Sequence, residues 1–168
     1  MSSPLTPNVK GANNFMRQNF VKHRAVGGRL IASHYKMEIE GHSDLTFKIS
    51  STQLPSLERE LIETYGPMGV QSNFQGNVKN AGEVTFVIEE TINGDTLKAL
   101  NKIILEKEYV QMRVMTTPED KGGEATSTYE FLEVSLMYDA VDLANESVTE
   151  IVKPSVTARY NWVDRPTS

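Results

Sequence analysis

The chain has 168 residues, with 22 Asp and Glu against 17 Lys and Arg, a formal charge of −5 and no cysteine. That length suits one domain, which can bury about 70% of its unfolded surface without disulfide or zinc–thiolate staples. The acidic balance argues against a general nucleic-acid binder. No apolar run is long enough to span a bilayer, and the first residues lack the apolar stretch of a secretory signal, so a soluble protein made in a cytoplasm is expected.

The charge is uneven. Lys10, Arg17, Lys22, Arg24, Arg29 and Lys36 all precede the first acid, Glu38. A basic arm on an acidic body favours self-association, with a solvated tail as the bland alternative. Residues 1–28 are rich in Ser, Pro, Asn and Gly, with isolated Leu5, Phe15, Met16, Phe20 and Val21. They are expected to form an arm that is disordered alone or draped on a surface, with Lys10, Arg17, Lys22 and Arg24 as its basic contacts. Gly27-Gly28 then reads as the hinge before a single β domain, 29–168.

Within that domain, Arg29 to Gly41 alternates as a strand, with Ile31, Tyr35, Met37 and Ile39 on one parity. Ser43 to Ser50 reads as a second strand, with Leu45, Phe47 and Ile49 inward, paired to the first as a hairpin. Residues 51–81 break the pattern. Leu54, Leu57, Leu61 and Ile62 allow a short helical turn after Pro55, but Gly66-Pro67-Met68-Gly69 ends it. A long irregular loop is expected here. Its apolar residues, Leu54, Leu57, Leu61, Ile62, Tyr65, Met68 and Phe74, want a partner.

The stretch Glu83 to Thr117 is the clearest. Val84, Phe86 and Ile88 alternate as a half-buried strand. Asn93-Gly94-Asp95 breaks the strand, and Asp95 or Thr96 is placed to cap a helix over about 95–107. Leu97, Leu100, Ile103 and Ile104 fall on one side of that helix. Val110, Met112 and Val114 then resume alternation. This reads as the one strong helix of the chain, and it needs a sheet to cover its apolar stripe. The fold class is therefore mainly β, a sandwich or barrel-forming domain. Beyond it lie a polar loop, 118–127, and a strand, 128–138, with Leu132, Val134, Leu136 and Tyr138 on one parity. Ser147 to Lys153 and Ser155 to Val163 read as two strands separated by a kink at Pro154. Val156, Ala158, Tyr160 and Trp162 make an apolar row.

The search for chemistry finds little. Without cysteine there is no thiol nucleophile. His23, His34 and His42 have no HExxH spacing, and His34 with Glu38 suits a wet strand face better than a metal. No nucleophile elbow, P-loop or dinucleotide fingerprint is present. Glu58-Arg59-Glu60 and Glu89-Glu90 are ordinary in an acidic protein. No enzyme, no cofactor and no metal site are expected; the residues point to an assembly subunit.

The order of elements sharpens this. YKMEIEG (Tyr35–Gly41) opens the body with an I-x-G strand end. After the long loop come NAGEVTFVIEETINGDTLKALNKI (Asn80–Ile103) and VQMRVMTT, then TYEFLEVSLMYDAV and ESVTEIVKPSVTARYNWV. Gly82 to Phe86 followed by Gly94-Asp95 and a helix, and the closing Val148, Glu150, Val156 and Tyr160, resemble the tail tube proteins of contractile-tailed bacteriophages. These are similar in fold to the tube protein of type VI secretion. The resemblance covers residues 30–163; the arm does not match. It implies a β-sandwich whose strands join those of neighbours into hexameric rings, stacked as a tube inside a sheath. It further implies tape measure and baseplate partners, a lumen that conducts DNA into the host, and a place in the virion tail after assembly in the host cytoplasm. An acidic lumen would let phosphate slide, and Glu38, Glu40 and Glu130 are the candidate lumen acids. Two alternatives stay open: a secretion-like tube, and a small β-sandwich binding module for sugar or peptide.

Overall fold

The computed structural model describes residues 9–118 and 122–167. The chain falls into two units, Met1–Ser33 and His34–Ser168. The first holds helix α1 (Val9–Ala25), where the composition suggested an arm without regular structure. The helix is explained by spacing rather than by composition. Ala12, Met16 and Phe20 recur every four residues, and Lys22, His23 and Arg24 occupy the last turn, where cations favour the helix dipole.

The second unit is mainly β. A seven-stranded, nearly closed sheet has the order β1 (Tyr35–Ile39), β6 (Val110–Thr116), β7 (Ser127–Tyr138), β8 (Ser155–Tyr160), β5 (Gly82–Ile88), β2 (Ile49–Ser51), with β9 (Trp162–Asp164) also on β7. Every pairing is antiparallel. The two end strands, β1 and β2, are therefore consecutive in sequence. The expected hairpin between them does not form: β1 pairs with β6 and β2 with β5. Instead a single helical turn, α2 (Ser43–Thr46), carries the chain from one end of the sheet to the other. Leu45 on this turn is fully buried, while Phe47, expected inward on a strand, is 89% exposed.

The core is the inward parity of these strands. Met37, Ile39, Val84, Phe86, Ile88, Val110, Met112, Val114, Val156, Ala158 and Tyr160 are buried together. Helix α3 (Asp95–Leu105) covers them with Leu100 and Ile103, while Leu97, Ala99 and Ile104 pack partly buried. The start of α3 is held from upstream. One Glu90 carboxylate oxygen accepts the N–H groups of Thr91 and Thr96 at 2.7 and 3.0 Å, and the other accepts that of Leu97 at 2.9 Å. Asp95 and Thr96, the expected caps, do something else. The Thr91 hydroxyl accepts the Asp95 N–H, and the fully buried Thr96 hydroxyl donates to the Glu89 carbonyl at 2.9 Å.

A paired kink sets which residues of β7 to β9 face inward. Phe131 and Val134 are buried, three residues apart, and so are Tyr160 and Val163 on the neighbouring strands. Phe131 opposes Val163, Leu136 opposes Ala158, and between them Asn161 Nδ2 donates to Glu133 at 3.0 Å. Glu133 has φ 51°, and β7 carries one extra residue relative to β6 between Met112 and Val110. Both strands thus insert a residue at the same level and change parity together. This corrects two expectations. Leu132 leaves the inward row in favour of Phe131, and Trp162 sits half exposed, its indole N–H on Asp164 at 2.8 Å. Tyr160 stays inside, edge-on to Phe131 with centroids 5.0 Å apart. Its ring covers Gly82 on β5, where an added Cβ would lie 2.6 Å from the phenol oxygen. Ser147 to Lys153, expected as a strand, is irregular, and Val148 and Ile151 are exposed.

Candidate assembly surfaces

Residues 51–81 are not a structureless loop. They hold a separate two-stranded sheet, β3 (Arg59–Tyr65) against β4 (Gln71–Val78). The turn is Gly66 to Val70, closed by the Gly66 N–H on the Val70 carbonyl, with Met68 at φ 62°. At the open end, Lys79 N–H donates to the Glu58 carbonyl, and the Lys79 ammonium meets the Glu58 carboxylate at 2.9 Å. The Arg165 guanidinium donates to the carbonyls of Pro55 and Ser56, tying the start of this excursion to the C-terminal strand region.

The hairpin has no buried face. Ile62 opposes Phe74 on one side, and Leu61 opposes Gln75 on the other with Tyr65 four residues along. Leu54, Leu57, Leu61, Ile62, Tyr65, Met68 and Phe74, the candidate contact residues, are all exposed, Met68 completely. A hairpin standing alone in water is marginal. One that shows apolar side chains on both faces is a candidate contact surface.

Two of the candidate lumen acids, Glu38 and Glu130, lie on the outward parity of β1 and β7. Glu38, Arg113 and Glu130 are opposite one another across the three strands. Arg113 reaches Glu38 at 3.7 Å and Glu130 at 3.9 Å, and Lys36 pairs with Glu38 at 2.6 Å. Such half-exposed pairs contribute little stability. What they do is alternate the sign of charge along the face. Glu40 stands apart in the turn after β1. All three acids line a concavity of about 530 Å³ together with Phe47 and Gln111. Arg113 was missed by sequence reasoning, because its role exists only once three strands are side by side.

Lys10, Arg17, Lys22 and Arg24 are all exposed on α1. Among the described residues no group of three His, Asp or Glu side chains is placed to hold a metal ion. No described helix is long and apolar enough to cross a membrane. The pKa of the Glu90 carboxyl is set by its surroundings. Burial pushes it up, but the N–H bonds from Thr91, Leu97 and Thr96, with Lys48 nearby, outweigh this and hold it below its ordinary value.

No protein-family model matches the sequence, and no curated protein is similar enough to match it. Solved structures do match. A chain of the anti-feeding prophage cap, the AFP tube terminating cap, superposes with a TM-score of 0.63 at 14% identity, over 84% of this chain and 93% of that one. A chain of the sheath–tube complex of the PVC extracellular contractile injection system, in the extended state, gives 0.63 at 15% identity over 88% and 97%. A chain of the PVC sheath/tube terminator gives 0.63 at 15% over 84% and 99%. The protein thus has the fold of chains found in contractile injection systems.

Proposed function

We propose that this protein is a structural subunit of a contractile tail. Its copies close into hexameric rings that stack into a tube, and the lumen conducts DNA into the host. The observation that carries the reading is the β3–β4 hairpin, which leaves Leu61, Ile62, Tyr65 and Phe74 exposed among the described residues, on a body whose fold recurs in tube and terminator assemblies. The sheet is also unfinished at both ends: among the described residues, β1 and β2 each have one edge without a partner strand. A neighbour's strand or hairpin completes such an edge and removes an aggregation hazard. The alternating charges of Lys36, Glu38, Arg113 and Glu130 suit a lumen wall, since phosphate finds no cationic patch to hold it. Under this reading the partners are further copies of the chain, a sheath, a tape measure and a baseplate, the place is the virion tail, and no catalysis is required.

A secretion-like tube that carries no genome is the second reading. It is favoured by neighbours drawn from an extracellular injection system and an anti-feeding prophage. Nuclease-protected DNA in purified particles supports the first reading, and its absence the second.

Electron microscopy of the purified protein tests assembly. Rings or short tubes are expected for the native chain. Leu57→Asp combined with Leu61→Asp is expected to leave dispersed subunits with unchanged melting. A native chain that stays monomeric when concentrated would overturn the proposal.

A further inference from the structure

Two surfaces of this chain are unexplained by the hairpin and complement each other. The first is α1. All its described side chains from Lys10 to Ala25 are exposed. Lys10, Arg17 and Arg24 repeat every seven residues, two helical turns, and so form one line about 20 Å long at 1.5 Å per residue. Met16 and Phe20 flank that line on one side and Val21 on the other. None of the basic residues is in an ion pair among the described residues.

The second surface is the connector between β7 and β8. From Asp139 to Ile151 it carries Asp139, Asp142, Glu146 and Glu150 and no basic residue. All four acids are exposed, and none is paired among the described residues. The contrast with β5 and its following turn is instructive. There Glu83 meets Arg159, Glu89 meets Lys153, and Glu90 holds the helix start. The connector also leaves Leu143, Val148 and Ile151 exposed, and Leu143 and Ile151 line a concavity of about 250 Å³ with Asp142 and Glu150.

We infer that α1 of one copy docks on the Asp139–Ile151 connector of a neighbouring copy. Charge complementarity selects the occupant. Five of the 17 basic residues and none of the 22 acidic ones precede His34, so the remainder holds 12 against 22. Basic and apolar groups lie side by side on the helix, and acidic and apolar groups lie side by side on the connector. Burying the apolar part brings the charges together where water is scarcer and their attraction is stronger. Because helix and connector are different surfaces, the contact runs head to tail and propagates from copy to copy, as a ring requires. The inference rests on the assembly reading and gives it a second strap besides the hairpin.

A charge swap tests it, read by sedimentation of the full chain over a concentration series. Arg17→Glu with Arg24→Glu is expected to raise the concentration needed for assembly by about tenfold or more, and Asp142→Lys with Glu150→Lys likewise, each with unchanged melting. Carrying both pairs on one chain is expected to restore assembly, which a merely solvated tail would not do. Because the chain has no native cysteine, Phe20→Cys with Leu143→Cys then reports the geometry: oxidation should give a ladder of linked chains. Native assemblies that survive both reversals overturn the inference and leave the assembly reading intact, whereas a native chain that never assembles overturns both. A link formed only within one chain overturns it too. So does a helix whose reversal abolishes binding to anionic phosphatidylglycerol vesicles but not assembly.

Discussion

Strand β5 and hairpin β3–β4 are neighbours in sequence, and both are antiparallel β-structure, yet they obey different rules. In β5, Val84, Phe86 and Ile88 are buried and the intervening residues face outward. In the hairpin no residue is buried on either side. One strand is stabilised by what its own chain packs against it; the other is held by backbone pairing and by ties at its base. Under the proposed assembly, the comparison separates residues that hold the monomer together from residues offered to its neighbours.

The largest expected effect falls on the first kind. Phe86 and Phe131 are fully buried, in a core shared by six strands and α3. Truncating either, as Phe86→Ala or Phe131→Ala, should cost about 3–5 kcal/mol, a large share of the roughly 5–15 kcal/mol that holds a typical domain folded. Denaturant melts measure it. A loss below about 1 kcal/mol would mean that β5 and β7 are not the centre of the fold, and the comparison would fail at its strong end.

A smaller effect sits at the start of α3. Removing the charge with Glu90→Gln weakens three bonds to backbone N–H groups, and a change of about 1 kcal/mol is expected, as for other helix caps. The pH dependence has a definite sign. Glu90 is held below its ordinary value of 4.5 in the folded protein. Its contribution is complete above that pH and is lost as pH falls further and the carboxylate takes up a proton. Melts at neutral pH and in acid should therefore differ more for the native chain than for Glu90→Gln. An identical acid response in both would place the cap elsewhere.

How far these features could be read beforehand depends on how local their causes are. The run β5–turn–α3–β6 was legible because alternation and helical spacing each act within a few residues. The acid that caps α3 was not, because Glu90 reaches forward over a turn that sequence rules assign to Asp95 or Thr96. The parity of β7 and β9 was misread at one point. Nothing short-range announces that Glu133 adopts a left-handed conformation opposite Asn161, and one such kink exchanges Leu132 for Phe131 and Trp162 for Val163. Helix α1 was hidden by composition, although Lys10, Arg17 and Arg24 at sevens were there to find. The hairpin had its turn in view, Gly66-Pro67-Met68-Gly69, but alternation marks only strands with one wet face, and here both faces are alike. The same likeness made its apolar residues stand out as surface in search of cover. The ladder of Glu38, Arg113 and Glu130 had no sequence signal at all, since it joins residues from three strands.

The smallest expected effect on stability is also the sharpest probe of the comparison. Ile62 and Phe74 are cross-strand partners in the hairpin, and such a pair contributes about 0.2–1 kcal/mol to the strands that carry it. That contribution is local. The hairpin can open while the main sheet stays closed, so its loss need not appear in the global transition. Ile62→Thr with Phe74→Thr should therefore change the denaturant melt by less than about 0.5 kcal/mol, as exposed substitutions do, yet speed amide exchange between Arg59 and Val78 in the monomer. In assembled protein the same amides should be protected in the native chain and exposed in the variant. If the melt instead falls by about 2 kcal/mol or more, the hairpin belongs to the cooperative unit of the body, and its uncovered side chains would no longer mark where a neighbour sits.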